Sequence, residues 1–489
     1  MPLSAKRAVI CVFDGLRPDR ISEALTPNLW RFVHDGVWFR ESRSVVPSMT
    51  RVATTSFATG SRPETHGIVN NAFFDLSVVP DRALDTSNGA HIAAAETRYA
   101  ARFVEAEGLG CALARAGRSY AVAHCGSAGS TYLVNHRARL HGHWTYSIHG
   151  REVTPTPEAV DAMVARFGPA PVEETPKHAQ IDHVARVFVE HVLPDRDPDV
   201  ALIWFPEPDT AYHYRNIGSA EAEAITTRVD ARFGDILAAV AAGPQADETL
   251  VVAMSDHGQI TMTGEVDLLA RLGEAGIAAA ARPGDGVEVL ATAGIACGLS
   301  LRAPDLDRLD ALAALLMEMP ETGLLFSRGR DRGTEPLVPG TFAHGHIGLD
   351  HPRAPDLLWI ARSGSTADAG GLPGTGLFTS GTGVPVGGGM HGGLNPLEQN
   401  TLLALGGAGI PALGAIPDPA DLTDIVPTLL AALGCDRPAS MTGRPLAAVL
   451  NADRPGLLTE EIVSRRGAFE QRLTLAVNGA RRIPLSGGR

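Results

Sequence analysis

Three apolar runs of strand length lead straight into a carboxylate. Residues 8–13 are followed by Asp14, residues 200–205 by Asp209 four positions on, and residues 249–254 by Asp256. Runs without polar alternation are buried on both faces, as in strands of a mainly parallel sheet covered by helices. In open sheets of that kind, ligands bind beyond the carboxyl ends of the strands, where all three acids fall. The pattern therefore predicts an α/β fold with its chemistry gathered at one end of a central sheet.

Further short runs at 119–123, 356–361 and 400–405 are expected to join that sheet. Helical periodicity is expected over 26–35, 108–116, 181–193, 220–242 and 421–433. In the last segment Asp421 or Asp424 can cap, Pro427 suits an early turn, and Gly434 can stop the helix. We expect one α/β hydrolase domain over 1–489, with helices on both faces of the sheet and insertions at about 71–105, 126–180 and 259–345. Residues 126–180 should fold over one end of the sheet. The third insertion should be helix-rich, over 266–276 and 306–319. The Gly/Ser/Thr-rich stretch 363–390 reads as a mobile loop delivering His391.

Two of these acids come with histidines. Asp209 and His213 stand four apart, so both can project from one face of a helical turn. Asp256 and His257 are adjacent, which suits a tight turn after a strand, and His391 lies alone among glycines. On local pattern each has a plainer reading, such as an Asp–His hydrogen bond or a loop histidine. Together, three Asp and three His supply what two zinc-type ions need. A hydroxyl-rich segment, Pro47 to Gly60, precedes them where a helix should begin. A helix N-terminus offers free N–H groups to a phosphate, and a metal can activate a threonine hydroxyl there. Locally, Thr50 or Ser48 reads first as an N-cap.

Composition narrows the partners. A formal net charge of −13 argues against a nucleic acid polymer or an anionic membrane. The 44% hydrophobic and 20% charged shares are ordinary for a globular chain. No apolar run approaches the roughly 20 residues that span a bilayer. The first seven residues run directly into the 8–13 segment, and the five cysteines are scattered without a CxxC pair. A cytoplasmic protein with reduced, mostly buried thiols is expected.

Read in order, Phe13 to Asp19, Pro47 to Thr50 with Thr59-Gly60 and Pro63 to Val69, Asp209 to His213, Ser255 to Gly258 and Gly389 to Gly392 resemble the alkaline phosphatase superfamily. Within it the match is to the type I phosphodiesterase/nucleotide pyrophosphatase group. A sixth segment, Asp424 to Leu430 followed by Gly443 to Leu446, resembles the superfamily's C-terminal stretch. The resemblance implies two Zn2+ ions, one held by Asp14, Asp256, His257 and the Thr50 oxygen, the other by Asp209, His213 and His391. It implies attack by Thr50 on phosphorus, a phosphothreonine intermediate, and a small phosphodiester or phosphonate-type substrate. As we read the family pattern, an Asn falls three residues after the nucleophile; this chain has Ala53 there. The phosphoryl donor then falls to Arg51, Asn70 or Asn71. Arg51 serves equally as a helix-surface residue, and in that case a diester is preferred over a monoester. His66 reads as structural, and His344, His346 and His351 as packing residues.

Rival readings within the same chemistry are a phosphomonoesterase and a phosphonoacetate-hydrolase-like enzyme that cuts a C–P bond. A sulfatase is excluded, since Thr50 and Val52 break the Cys/Ser-x-Pro-x-Arg motif. A catalytically silent metal-holding protein is the rival of another class; six retained ligands and a hydroxyl argue against it. The natural substrate is not legible, and a homo-oligomer remains open.

Overall fold

The computed structural model describes residues 5–450, 452, 458–478 and 481–489. Its central sheet has eight strands: Arg7–Phe13 (β1), Val37–Arg43 (β2), Tyr120–His124 (β3), Trp144–Ser147 (β4), Val200–Phe205 (β5), Thr249–Met254 (β6), Leu403–Gly407 (β7) and Gly414–Asp421 (β8). Their order across the sheet is β8-β2-β7-β6-β1-β5-β3-β4. From β6 to β4 all neighbours are parallel; β7 runs antiparallel to both β6 and β2.

Side-chain alternation along the inner strands divides two apolar layers. Ile10, Val12, Leu202, Trp204, Val252 and Met254 face one layer, which is closed by helices Thr50–Thr59 (α1), Leu109–Arg115 (α2) and Ile425–Ala432 (α6). Val9, Cys11, Phe13, Ile203 and Phe205 face the other, under Pro27–Asp35, His178–Val187 (α3) and Ala220–Ala242 (α5). The expected helices thus fall on both faces. Asp421 caps the last one through a box with Asp424, and Gly434 follows it at φ +66°.

Several expectations need correcting. The run 356–361 forms the strand Leu357–Ala361 of a separate six-stranded sheet, paired antiparallel with Ala296–Leu301 and Thr322–Ser327. An apolar run does not say which sheet buries it. The stretch 126–180 supplies β4, the edge strand of the central sheet, as well as covering helices. The 259–345 stretch is richer in strand than expected, beginning with Ile260–Val266; its helices are Leu268–Glu274 and Leu306–Glu318.

The stretch 363–390 is not a bare loop. Ser363–Ala367, Pro373–Thr379 and Gly389–Met390 join Ile260–Val266 in a four-stranded sheet. Its glycines answer to packing: a Cβ on Gly388 would lie 2.2 Å from the His213 carbonyl oxygen, and one on Gly389 2.4 Å from Gln259 Oε1. A three-stranded antiparallel sheet, Leu458–Arg466, Phe469–Asn478 and Arg481–Gly488, ends the chain.

Candidate two-metal site

Asp14 directly follows β1, and the backbone ties its neighbour across the sheet: Asp14 N donates to Phe205 O, and Asp209 N to Asp14 O, both at 3.0 Å. Asp209 opens a short helix, Asp209–Arg215 (α4), and His213 sits one turn later. Asp256 and His257 occupy the turn after β6, and His391 follows Gly389–Met390. Four separate segments therefore converge beyond the carboxyl ends of β1, β5 and β6.

They converge as two triads. Asp14, Asp256 and His257 form one, and Asp209, His213 and His391 the other; within each, one ligand atom per residue lies within 4.8 Å of the others. His257 Nε2 is 3.5 Å from Asp14 Oδ1 and 3.3 Å from Asp256 Oδ2. Asp209 Oδ1 is 3.3 Å from His213 Nε2 and 3.5 Å from His391 Nε2. Ligands about 2.0–2.1 Å from a tetrahedral zinc stand roughly 3.3 Å apart, so these spacings fit a zinc-sized cation in each triad.

The histidines are pre-set for that task. Each Nδ1 lies on a main-chain carbonyl: His213 on Gly389 O at 2.6 Å, His257 on Gly258 O at 3.1 Å, and His391 on Ser48 O at 2.7 Å. A carbonyl only accepts, so Nδ1 carries the hydrogen and a neutral ring turns its Nε2 lone pair inward. There it meets carboxylate oxygens, which repel it unless a cation or proton lies between. Asp14 Oδ1 and Asp256 Oδ2 are buried and without any hydrogen-bond partner, as a metal ligand's free oxygen would be.

Electrostatics tells the same story. Burial, then the Asp256 and Asp209 charges, push the Asp14 carboxyl well above the usual range. Burial also raises Asp256, against the pull of His257. Asp209 goes the other way: burial opposes its charge, but His213, His391 and His257 outweigh it and depress its pKa. Burial and the neighbouring His257 push His391 down, while Asp209 overcomes burial to raise His213. Burial and mutual repulsion thus work against ionising Asp14 and Asp256 beside Asp209, a conflict that divalent cations would relieve.

Thr50 is the first residue of α1 and is 8% exposed. Met49 holds the cap position with no side-chain cap bond, so Thr50 and Ser48 are not N-caps here. Thr50 Oγ1 instead lies 3.2 Å from His257 Nε2, against the first triad. Ser48 binds the His391 turn, accepting from Gly392 N at 3.0 Å. Asn71 Oδ1 accepts the Arg51 backbone N–H at 3.0 Å, which leaves its amide NH2 beside the helix start. Asn70 is spent on structure, donating to Ala296 O and accepting from Asn71 N. Ala53 is fully buried in the core. Arg51 is half-buried with Nη2 4.0 Å from Asp85 Oδ1; burial works against its charge, while Asp85, Asp14, Asp209 and Asp256 support it.

Other supporting groups carried no signal in the sequence. Trp204 Nε1 donates to Asp14 Oδ2 at 2.9 Å, and Gly15 N to Asp256 Oδ1 at 3.1 Å. Gln259 Nε2 donates to Asp209 Oδ1 at 2.5 Å. Glu398 is fully buried; its carboxyl accepts from Gly393 N and its carbonyl from Gly258 N. His66 is structural as expected, accepting from Ile68 N at Nδ1 and bonding Ser56 Oγ. His351 faces Glu105 at 3.3 Å, and His344 is buried away from both triads.

Known proteins can now be set beside this geometry. The family model for type I phosphodiesterase/nucleotide pyrophosphatase matches residues 8–393, which takes in all six triad residues. Human ectonucleotide pyrophosphatase/phosphodiesterase family member 7 is 23% identical over 259 residues, 53% of this chain and 49% of that protein. A Xenopus laevis bis(5'-adenosyl)-triphosphatase is 35% identical over 72 residues, 15% of this chain and 16% of that one. The chain thus spans half or less of these curated relatives. Among solved structures, an inactive form of murine ectonucleotide pyrophosphatase/phosphodiesterase 5 with AMP superposes with a TM-score of 0.60 at 16% identity, over 88% of this chain and 96% of the other. Phosphonoacetate hydrolase from Sinorhizobium meliloti 1021, with phosphonoformate, gives 0.60 at 17% identity, over 88% and 98%. These likenesses show the fold, and the family match identifies the chain as a member of the type I phosphodiesterase/nucleotide pyrophosphatase family of the alkaline phosphatase superfamily.

Proposed function

We propose that the protein is a hydrolase of small phosphodiester or phosphonate-type substrates that uses two zinc ions and passes through a phosphothreonine at Thr50. The observation that carries this reading is the Thr50 hydroxyl, at a helix start and 3.2 Å from a triad of buried metal-ligand type. Asp14, Asp256 and His257 would hold one ion, with Thr50 Oγ1 beside them, and Asp209, His213 and His391 the other. Such a pair supplies Lewis-acid stabilisation of the attacking and leaving oxygens. The AMP and phosphonoformate bound by the two neighbours are small anionic phosphorus compounds, in keeping with a substrate of that class.

The chain's own groups do the rest. Thr50 Oγ1 displaces the leaving oxygen at phosphorus, and water later displaces Thr50. The N-terminal end of α1 turns the positive end of its dipole toward the phosphoryl oxygens, although the Arg51 N–H is itself engaged by Asn71 Oδ1. The Asn71 amide and the Arg51 guanidinium are the side-chain donors beside them. Trp204, Gln259 and the three Nδ1 anchors hold the ligands in place. The direct test is to quench turnover with acid and digest the protein. A phosphoryl adduct on the Thr50 peptide is expected from the wild type and none from Thr50→Ala, which lacks the hydroxyl. Burst-free turnover with no adduct at any quench time would sink the covalent mechanism.

A further inference from the structure

Arg51 is placed unlike any other arginine near the site. Its side chain is 18% exposed, its Nε is buried without a hydrogen-bond partner, and its ion-pair neighbour, Asp85 Oδ1, stands 4.0 Å from Nη2. At that distance the pair is a loose one, and much of the cost of burying the guanidinium is left uncompensated. The group is nevertheless close enough to the triads to feel the Asp14, Asp209 and Asp256 charges. Its backbone is fixed by Asn71 Oδ1, directly after the proposed nucleophile. Asp85 is itself anchored, accepting from Ser87 N at 2.8 Å and Ser87 Oγ at 2.9 Å, and its side chain is 45% exposed at the rim.

A half-buried guanidinium with an unpartnered Nε and one loose ion pair, directly after the proposed nucleophile, is arranged to take an anion. Neutral substituents of a substrate gain nothing from it. We propose that Arg51 is the specificity-determining residue of the site and reads a second negative charge on or beside the scissile phosphoryl group, with Asp85 competing for it when no such charge is bound. This rests on the phosphoester reading above. The substrates it favours carry either a terminal, dianionic phosphoryl group or a carboxylate or phosphate adjoining the phosphorus.

The test compares Arg51→Ala, Arg51→Lys and Asp85→Asn with the wild type, all zinc-loaded and checked for unchanged melting. The readouts are kcat/KM for 4-nitrophenyl phosphate and bis(4-nitrophenyl) phosphate, and calorimetric affinity for phosphonoacetate and methylphosphonate. The monoester-to-diester ratio should fall roughly 10- to 100-fold in Arg51→Ala, since a charge-assisted hydrogen bond is lost. Arg51→Lys should recover part of it, as lysine offers a point charge without the fork. Asp85→Asn should raise the ratio by roughly two- to fivefold, the worth of a loose ion pair. If phosphonoacetate loses more affinity than methylphosphonate in Arg51→Ala, the charge read is beside the phosphorus; equal losses in both, with the ratio still falling, place it on the phosphoryl group. An unchanged ratio in Arg51→Ala together with no greater loss of affinity for phosphonoacetate than for methylphosphonate would overturn the specificity role. A ratio that does not rise in Asp85→Asn overturns the competition. A wild type that hydrolyses neither ester refutes the proposed function instead, and the calorimetric comparison then still decides whether Arg51 reads charge.

Discussion

Asp14 and Asp256 each keep one buried oxygen free, and Thr50 keeps its hydroxyl free of capping duty. Such idle polar atoms are costly in a folded core unless a reaction or an ion uses them. Two consequences can be measured at this scale. Zinc-reconstituted protein should hold about two ions per chain, one for each triad; elemental analysis giving one or fewer would count against the pair. Thr50→Ala should keep that metal content while turnover falls by about three orders of magnitude or more, since only the nucleophile is gone. Near-normal turnover in that variant would retire Thr50 as nucleophile. The six ligand-type residues were legible because Asp and His announce their chemistry in any context. Trp204 and Gln259 were not: an indole and an amide become ligand supports only through the register that sets β5 beside β1 and carries residue 259 under α4. Ser48 was read as a cap because a serine before a helix usually is one, whereas here its oxygen atoms hold the His391 turn.

Among elements, helices were the more readable. The 23-residue α5 came out with its expected bounds because its apolar stripe runs over six turns. Strands β2, β4 and β8 carry charged or polar residues and escaped notice; Arg40 and Glu41 in β2, for example, break any apolar run. The 363–390 stretch was misread for a related reason, its glycines marking close backbone packing and not freedom. One small element repays attention. The turn Pro396–Gln399 holds the His391 turn through the Glu398 carboxyl and the His257 turn through the Glu398 carbonyl. Burial raises that carboxyl to about 8, which favours its protonated form at neutral pH, so it can accept from a main-chain N–H without a counter-ion. Glu398→Ala should weaken zinc binding by about 10-fold or more, measured against a competing chelator, whereas Glu398→Gln should come close to wild type because its amide oxygen still accepts. Equal affinities in all three proteins would mean that the turn merely packs.

Over the whole molecule, the triads lie between segments far apart in the chain, so bound metal should act as a clamp on the fold. Zinc at about a hundredfold above its Kd adds roughly 2.7 kcal/mol per site, and calorimetry should show the melting transition rise on reconstitution. Chelation should return it to the metal-free value and abolish hydrolysis; a transition indifferent to zinc and chelator would show that the clamp is absent. The C-terminal sheet has its own tie, Arg481 meeting the buried Asp421 and Asp424 of the capping box at the turn Leu422–Asp424 that leads into α6. None of this was foreseen, since charged residues such as Glu460, Glu461, Arg465 and Arg466 interrupt any apolar run of the kind that marks the inner strands. Among the described residues no helix is long and apolar enough to cross a membrane. The order of the ligands along the chain has a consequence for biosynthesis. Asp14 leaves the ribosome well before His391, and β7, which seals the sheet between β2 and β6, comes later still. A nascent chain therefore cannot assemble both triads, and a fragment truncated before residue 391 carries an incomplete second one. Such a fragment keeps Asp14, Asp256 and His257 but only two of the three groups of the other triad, so zinc should stabilise it less than the longer chain.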